Sequence, residues 1–310
     1  MFQASQAVFI YCVSPLHMGA GTALGLIDNP IQRERHTGYP LIAGSGLKGA
    51  VRHHFWAQSQ GGDRRWLERL FGPDSGQNAA THAGAVSFAD AQLLAFPVRS
   101  ARHGFVYATS PLALARAARL LELTGQSPQW PAFTVQGQTC QVADAGLAGE
   151  LALEVFQYRA THDPALANVA AWLADNALPA GDAYDFFRNK LKTELVMLPD
   201  EEFGYFVHHA TVVEPHVRIN DESGTADDGG LFYTENLPPE SLLVTAVMAS
   251  VERYSKDAKP SDALDAAGVL SAVLKGHDQA WTGLEGSLLQ IGGDATTGRG
   301  QVVLKTLGGA

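Results

Sequence analysis

A glycine- and proline-rich segment near the start of the chain carries charged side chains at a spacing that could do chemistry. Residues 25–40 read GLIDNPIQRERHTGYP, in which Asp28 precedes a charged cluster of Arg33, Glu34, Arg35 and His36. Glycine and proline interrupt helices and strands, so the segment is predicted to be a loop. A carboxylate on such a loop can accept a proton or ligate a hard cation. The alternative is that Asp28 is a turn residue before Asn-Pro.

The segment AGSGLKGA, residues 43–50, invites comparison with a phosphate-binding loop. Neither Ser nor Thr follows Lys48, so a nucleotide-hydrolysing site is not expected. The segment predicts instead a helix start with Ser45 as the N-cap. Lys48 and Arg52 then lie one turn apart on one face, near backbone N–H groups that favour an anion. The helix start could hold a phosphate diester, and the alternative is a capped helix with exposed basic residues.

A second glycine-rich segment, GGDATTGRG at residues 292–300, joins two predicted strands, 287–291 and 301–307. Glycines let the backbone approach a ligand closely, and Arg299 adds a positive charge. A strand follows the segment where a dinucleotide fingerprint would need a helix. Taken alone, the segment is a weak indication of binding.

These pieces need a scaffold, and the apolar pattern predicts one. The run AVFIYCV, residues 7–13, is typical of a central strand. With the loop and the helix after it, this strand forms the opening half of a split βαβ unit, and the C-terminal glycine segment should lie beside it. Further strands are predicted at 85–89, 105–109, 149–158 and 242–251, and helices at 111–125, 164–175, 182–194 and 260–275. The alternation predicts an α+β or α/β class.

One polar segment stands outside this scaffold. Residues 211–236 read TVVEPHVRINDESGTADDGGLFYTEN, two strand-like arms around an acidic, glycine-containing tip. The pattern predicts a long hairpin. The hairpin is either a mobile surface loop or an arm that reaches a partner.

Composition limits the functional classes. The net charge of −10 argues against a general nucleic-acid binder, yet residues 1–70 hold seven Lys and Arg against four Asp and Glu. No run of eighteen apolar residues predicts a membrane span, and the first residues lack the basic region of a signal peptide. Cys12 and Cys140 lie in apolar surroundings and are expected to be buried thiols, so the cytoplasm is favoured. The pairs His53-His54 and His208-His209 lack ligand spacing, so zinc is not expected.

The motifs together resemble a known family. The segments SPLHMGAG, GLIDNPIQRERHTGYPLIAGSGLKGAVR, DDGGLFYTENLP and IGGDATTGRG occur in this order between Ser14 and Gly300. They are similar to those of the repeated backbone subunit of type III-B (Cmr) CRISPR effector complexes, which belongs to the RAMP superfamily of Cas proteins.

The resemblance implies a fold and a role in antiviral defence. The implied fold is α+β: one RAMP domain over residues 1–310 with a ferredoxin-like core, related to RNA-recognition domains. Inserted helices and strands occupy about 111–200, and the hairpin at 211–236 is a protruding "thumb". Several copies are expected to bind guide RNA as a filament beside other complex subunits. The thumbs interrupt the guide–target duplex at regular intervals, and target RNA is cut there.

The resemblance also implies site residues. Asp28 matches the family's catalytic aspartate and is the candidate ligand for loosely bound Mg²⁺ or Mn²⁺. His17 and Glu235 match accessory positions. The candidate RNA contacts of the helix start and the C-terminal segment are Ser45, Lys48, Arg52, Gly292, Gly293, Thr296, Thr297, Gly298, Arg299 and Gly300. Arg33, Arg35 and His36 are further candidates, unless Glu34 pairs with one of them at the surface.

RNA carries its own nucleophile, the 2′-hydroxyl, so the protein must position it, stabilise charge and supply a base or a metal ion. Asp28 is expected either to hold the metal or to take the proton. The expected activity is that of a metal-dependent endoribonuclease acting within the assembled complex. The alternatives are a non-cleaving guide-RNA-binding subunit and a RAMP endonuclease that processes precursor guide RNA.

Overall fold

The computed structural model describes residues 2–21, 25–59, 65–73, 82–254, 259–277 and 281–308, so both ends of the predicted 1–310 domain lie outside the described residues. The strands are β1 (Ala4–Cys12), β2 (Leu41–Ile42), β3 (Val86–Phe88), β4 (Ala91–Ser100), β5 (Gly104–Thr109), β6 (Thr139–Val142), β7 (Gly149–Leu153), β8 (Phe156–His162), β9 (Leu195–Met197), β10 (Val212–Ile219), β11 (Ala226–Asn236), β12 (Leu242–Ala249), β13 (Gly276–His277), β14 (Trp281–Thr282), β15 (Leu288–Gln290) and β16 (Gln301–Thr306). The helices are α1 (Gly44–Gln58), α2 (Arg65–Phe71), α3 (Pro111–Leu123), α4 (Pro164–Asn176), α5 (Asp185–Thr193), α6 (Asp200–His209) and α7 (Ala266–Leu274).

The centre of the molecule is β1, which pairs antiparallel with β12 on one side and with β16 on the other. β4 follows beyond β12, again antiparallel. Alternate residues of β1 enter two different cores: Val8 and Ile10 face a core that includes α1 and α7, while Phe9 and Tyr11 face one that includes α3, α4 and α5. A strand buried on both faces needs apolar residues at every position, which explains the continuous run. The predicted central strand and the α+β class are confirmed.

The sheet continues from β4 through β5, β9, β6, β8 and β7, and β7 returns to pair with β4 at Leu153 and Ser100. The sequence prediction missed β4, whose Pro97 interrupts an otherwise apolar strand; there Pro97 lies opposite Tyr107 of β5. The predicted single strand 149–158 is wrong, because Glu154 adopts φ 50° and turns the chain into the β7–β8 hairpin. The predicted helix 260–275 begins only at Ala266, where the Asp265 carboxylate caps it by accepting from Gly268 N.

The start of α1 corrects the prediction for Ser45. The N-cap is Ala43, whose side chain makes no capping bond, and Ser45 lies exposed within the first turn. The N–H of Gly44 donates instead to Asp90 Oδ1 at 2.7 Å. A Cβ at Gly44 would lie 2.2 Å from the carbonyl oxygen of Phe88. Close packing against the 88–90 turn therefore sets the helix start, and a carboxylate distant in sequence caps it.

The C-terminal glycine segment lies beside the end of β1, as predicted. Gly300 N donates to Pro15 O at 2.8 Å, and Gly293 N donates to His17 O at 3.0 Å. The segment between them forms a short 3-10 turn at Ala295–Thr297. The antiparallel pairing of β16 with β1 brings both ends of the segment to the residues that follow β1.

Two glycines of this segment allow a matched stability test. Gly298 and Gly300 both have φ +79°, but a Cβ at Gly300 would lie 2.0 Å from Ile291 O, whereas none of the described atoms lies within 4 Å of one at Gly298. In Gly298→Ala the only cost is that alanine must adopt a left-handed backbone conformation, which should lower the free energy of unfolding by about 1 kcal/mol. Gly300→Ala adds a backbone clash and should cost about 3 kcal/mol or more. Urea unfolding checks both, and equal losses would contradict the close approach.

The predicted hairpin is confirmed. β10 and β11 pair antiparallel from Val212 with Asn236 out to Ile219 with Ala226, as a separate two-stranded sheet. At the tip, the side chain of Asn220 accepts from the backbone N–H groups of Glu222 and Ser223. The turn is therefore held by its own polar groups and contributes little to either core.

Two further sequence predictions concern the cysteine thiols and membrane-spanning segments. Cys12 and Cys140 are free and buried, and burial raises the pKa of each thiol to about 12, so both stay protonated at neutral pH. No helix among the described residues is long and apolar enough to span a bilayer.

Candidate functional site

The loop that carries Asp28 lies along the base of β11. Asn29 N donates to Tyr233 O at 3.0 Å, and Glu235 N donates to Asn29 O at 2.9 Å. Tyr233 N donates to Asp28 Oδ2 at 2.7 Å. Among the described residues, no hydrogen bond reaches Asp28 Oδ1, and the side chain is exposed. The backbone thus fixes one carboxylate oxygen and leaves the other for a ligand.

Glu235 lies buried directly behind this loop, with its side chain 4% exposed. Its Oε1 accepts from Arg33 Nη2 at 2.5 Å and from Thr211 Oγ1 at 2.8 Å. Its Oε2 accepts from Ile31 N at 3.0 Å. Since both carboxylate oxygens are engaged, Glu235 holds the loop to the base of the hairpin.

His17 completes the cluster. Its Nδ1 lies 2.7 Å from Glu235 O, and its own carbonyl accepts from Gly293 N. A Cβ at Gly292 would lie 2.2 Å from His17 O, so only glycine fits there. The structure therefore brings together Asp28, His17 and Glu235, which are adjacent in space although Glu235 is far away in the sequence.

The basic cluster of the loop divides into two groups. Arg33 is mostly buried, and protein acceptors bind its guanidinium. Its Nη2 donates to Glu235, and its Nη1 donates to Gly38 O and Val207 O, each at 2.9 Å. Arg33 therefore supports the loop from behind. Arg35 and His36 are exposed beside it and are available to a ligand.

The sequence left open whether Glu34 pairs with Arg33, Arg35 or His36, and its main partner lies on α3. Glu34 forms a two-bond ion pair with Arg116 of α3, and His36 lies 3.8 Å from its Oε2. Burial opposes ionisation of Glu34, but hydrogen bonds from Arg116 and Thr37 outweigh burial and lower the pKa of the carboxyl. The main partner of Glu34 is thus an arginine that the loop sequence does not contain.

A second basic group lies on α1. Lys48 is half-buried and makes no hydrogen bond or ion pair with the described residues, while Arg52 donates to Gly72 O at 2.6 Å. Burial lowers the pKa of Lys48, and the charges of Arg52 and Arg253 lower it further. Sequence reasoning missed Arg253, which follows β12, because no local pattern relates it to α1. A bound anion would offset the repulsion that these two arginines exert on Lys48.

The glycine segment presents an exposed rim. Gly292, Gly293, Thr296, Thr297 and Gly298 are exposed, whereas Gly300 is buried. Arg299 Nη2 donates to both carboxylate oxygens of Glu214 on β10, at 2.6 and 2.7 Å. The predicted ligand contact Arg299 is therefore, in this structure, a link between the segment and the hairpin.

The donor set for a metal ion is small. Among the described residues, no group of three or more His, Cys, Asp and Glu side chains could hold a metal. Asp28 by itself fits only a weakly held Mg²⁺ or Mn²⁺, because Mg²⁺ is often bound by one or two carboxylates together with substrate phosphates and water.

Comparisons with known proteins agree with this architecture. The family model described as "RAMPs: RAMP superfamily" matches residues 9–303. The chain belongs to the RAMP superfamily. Within this superfamily it is 32% identical over 304 residues to "CRISPR system Cmr endoribonuclease Cmr4" of Pyrococcus furiosus, with 95% of this chain and 93% of the relative covered. It is therefore a Cmr4 homologue, and the family predicted from the motifs is confirmed.

Solved structures match over the whole RAMP chain. The crystal structure of oligomeric Cmr4 from Pyrococcus furiosus has a TM-score of 0.69 at 26% identity, covering 98% of this chain and 97% of that one. A chain of the type III-B Cmr-beta complex bound to cognate target RNA has a TM-score of 0.71 at 20% identity, with 98% of each chain covered. At that identity the second match shows the fold alone.

Proposed function

We propose that this Cmr4 homologue is a backbone subunit of a type III-B CRISPR effector complex. Several copies bind guide RNA as a filament, beside the other subunits, and cut complementary target RNA at regular intervals in antiviral defence. The observation that carries this proposal is the exposed Asp28 carboxylate, bound to the base of the hairpin through Tyr233 N. The hairpin takes the role of the thumb, so each thumb places one carboxylate beside the RNA.

The four strands β16, β1, β12 and β4 form the proposed ferredoxin-like core. Their order is that of a split βαβ unit, with antiparallel neighbours throughout and with α1 and α7 as the connecting helices. The segment from α3 to β9 covers the other face of the core and is the proposed insertion, about residues 111–200.

The proposed reaction uses the 2′-hydroxyl of the target RNA. In the first of its two candidate roles, that of general base, Asp28 accepts the hydroxyl proton while the 2′-oxygen attacks the adjacent phosphorus. The bond from phosphorus to the 5′-oxygen breaks, and that oxygen takes a proton from water. The products are a 2′,3′-cyclic phosphate and a 5′-hydroxyl. A thumb that interrupts the duplex would let the attacked nucleotide turn into line.

Asp28 is the residue that would hold Mg²⁺ or Mn²⁺, with RNA phosphate and water as the remaining ligands, and the ion would supply charge stabilisation at the phosphate. Chelation should therefore reduce cutting. Glu235 is a positioning residue, because its carboxylate is buried and filled by protein donors. His17 lies at the surface of the same cluster and is proposed to help orient the RNA.

The guide RNA is proposed to follow Lys48, Arg52 and the exposed glycine rim, with Ser45 at the helix start and Arg35 and His36 nearer Asp28. Because Asp90 already caps Gly44, the cations supply most of the attraction for phosphate. Sequence specificity is then delegated to base pairing by the guide.

The double variant Lys48→Ala/Arg52→Ala should weaken guide-RNA binding. Two lost phosphate contacts should reduce the slope of log K against log salt by about 1.4, if each contact in a single strand contributes about 0.7. Arg253→Ala should give about half of that change. A salt titration of fluorescence anisotropy measures the slopes, and Lys192→Ala, on the exposed side of α5, serves as the control. An unchanged slope would remove this helix face from the RNA path.

The proposed function is tested by reconstituting the complex with end-labelled target RNA. Fragments at regular spacing are expected from the assembled complex. An intact target bound by the complex would indicate a non-cleaving backbone subunit. Cutting of precursor guide RNA by the isolated chain would indicate a processing endonuclease.

A further inference from the structure

A row of four rings, three of them exposed and Phe156 half-buried against the core, lies beside the Asp28 site. We call the side chains of Phe156, Tyr205, His209 and His208 the ring ladder. The ring centroids are 5.1 Å apart for Phe156 and Tyr205, 4.4 Å for Tyr205 and His209, and 4.8 Å for His209 and His208. The Tyr205 side chain is 43% exposed, and both histidines are exposed. Aromatic residues with this exposure leave ring faces available to a ligand.

The ladder follows from helix geometry. Tyr205 and His209 lie four residues apart on α6, so their side chains are neighbours on one face. Phe206, the residue after Tyr205, is fully buried and packs against Phe156, Tyr158 and the Tyr205 ring. Core packing of Phe206 thus fixes α6 and holds the ladder at the surface.

The ladder is continuous with the Asp28 site. Val207, between the ladder residues, accepts Arg33 Nη1 through its carbonyl, and the same arginine binds Glu235. A Cβ at Gly38 would lie 4.0 Å from His208 Cδ2, which places the end of the ladder against the charged loop. Thr211, between the end of α6 and the start of β10, also binds Glu235. One network therefore positions both Asp28 and the ladder.

The charge around the ladder favours an anionic ligand at the end near the loop. Arg35 and His36 are exposed on that side. At the other end of α6, Glu202 accepts a hydrogen bond from Tyr158 Oη at 2.9 Å, and Glu201 lies one turn before Tyr205. Burial lowers the pKa of His208, and Arg33 and His209 lower it further, so its ring is mostly uncharged at neutral pH. An uncharged ring near the Arg35 cation suits a base attached to phosphate.

We propose that the ring ladder binds an unpaired RNA base next to the nucleotide presented to Asp28. This inference rests on the proposed function and adds a substrate contact to it. The thumb interrupts the duplex and leaves at least one base without a partner, and such a base gains from stacking on an aromatic side chain. Tyr205 and His209 supply the stacking faces, and the ladder accepts any of the four bases because each has a π-face.

The test uses complexes assembled with Asp28→Asn, so that the RNA stays intact. Target RNAs carry the fluorescent base 2-aminopurine at successive positions across one cutting interval. Stacking quenches this base, so positions paired within the duplex are quenched as well; we expect the unpaired position to stay quenched in the parent complex and to become fluorescent only when the ladder is removed. Tyr205→Leu with His209→Ala should restore its fluorescence at least threefold and weaken target binding roughly tenfold. Tyr205→Phe retains the ring and should retain the quenching.

Phe186→Leu is the matched control, because Phe186 is another exposed aromatic residue, 66% exposed, on the separate helix α5. If the parent complex binds target RNA but Tyr205→Leu with His209→Ala changes no position more than this control does, the ladder proposal is wrong while the function stands. If the ladder variants instead lower the number of copies per complex in native mass spectrometry, the surface is a protein interface. If the parent complex binds no RNA, the proposed function itself fails.

Discussion

The Asp28→Asn variant is expected to assemble with guide RNA and bind target RNA normally while cutting at least about a hundredfold more slowly. The substitution keeps the size of the side chain and an oxygen that can accept from Tyr233 N, so the loop should stay on β11. It removes the negative charge that either takes the 2′-hydroxyl proton or attracts a cation. Single-turnover rates with saturating complex measure the loss directly.

Two further observations test the chemistry proposed at Asp28. Product ends should be a 2′,3′-cyclic phosphate and a 5′-hydroxyl, whereas a 5′-phosphate would mean that water is the nucleophile. If Mn²⁺ and Mg²⁺ both restore a chelated wild-type complex, and neither restores Asp28→Asn, cutting requires both the ion and the carboxylate. A variant that cuts at the wild-type rate would exclude Asp28 from the chemistry.

The Glu235→Gln variant is expected to lose both stability and activity. Glutamine leaves the mostly buried Arg33 guanidinium without its carboxylate and directs an amide N–H₂ toward other donors, Ile31 N or Thr211 Oγ1. Breaking a buried ion pair on one side typically costs 3–5 kcal/mol, so about 3 kcal/mol is expected for this pair, whose arginine is 16% exposed. A displaced Asp28 loop should slow cutting about a hundredfold, because small misplacements of reacting groups cost that much.

A matched control separates the two effects. The pair of Arg69 and Glu252 has similar burial, with side chains 16% and 1% exposed, and lies on α2 and after β12, outside the Asp28 cluster. Glu252→Gln should destabilise the chain by a similar amount and leave the cutting rate of the assembled complex unchanged. Urea unfolding and single-turnover kinetics are compared for both variants at a temperature where both are folded. Equal effects of the two variants on cutting would mean that Glu235 acts only through global stability.

Local patterns predicted a large part of the fold. The apolar run of β1 indicated a strand buried on both faces, and the structure confirms it. The helix predicted from Pro111 begins there, with the Ser110 side chain accepting from Ala113 N, because N-cap and first-turn signals act within a few residues. The hairpin at 211–236 was similarly readable from its two arms and polar tip. β4 was missed because Pro97 is unusual in a strand.

The candidate site was only partly readable. The motifs pointed to Asp28, His17 and Glu235, which the structure brings together, and their roles remain predictions. The motifs could not show that Arg33 is bound by Glu235, that Arg299 is bound by Glu214, or that Arg116 is the partner of Glu34. Each of these arginines is a cation on a long flexible side chain, and its partner depends on which carboxylate the folded chain places within reach.

By itself, the sequence determined the family from four ordered motifs, and it determined the central strand and the hairpin because each depends on a contiguous pattern; it also singled out Asp28 as the candidate carboxylate. The tertiary structure decided which charged side chains are bound by partners within the protein and which are exposed to a ligand. It also decided the capping of α1 by Asp90, the approach of Arg253 to Lys48, and the row of rings on α6 beside the loop. The physical reason is that the interactions of buried charges and exposed rings depend on neighbours distant in sequence. Only the packing of strands and helices brings those neighbours into contact.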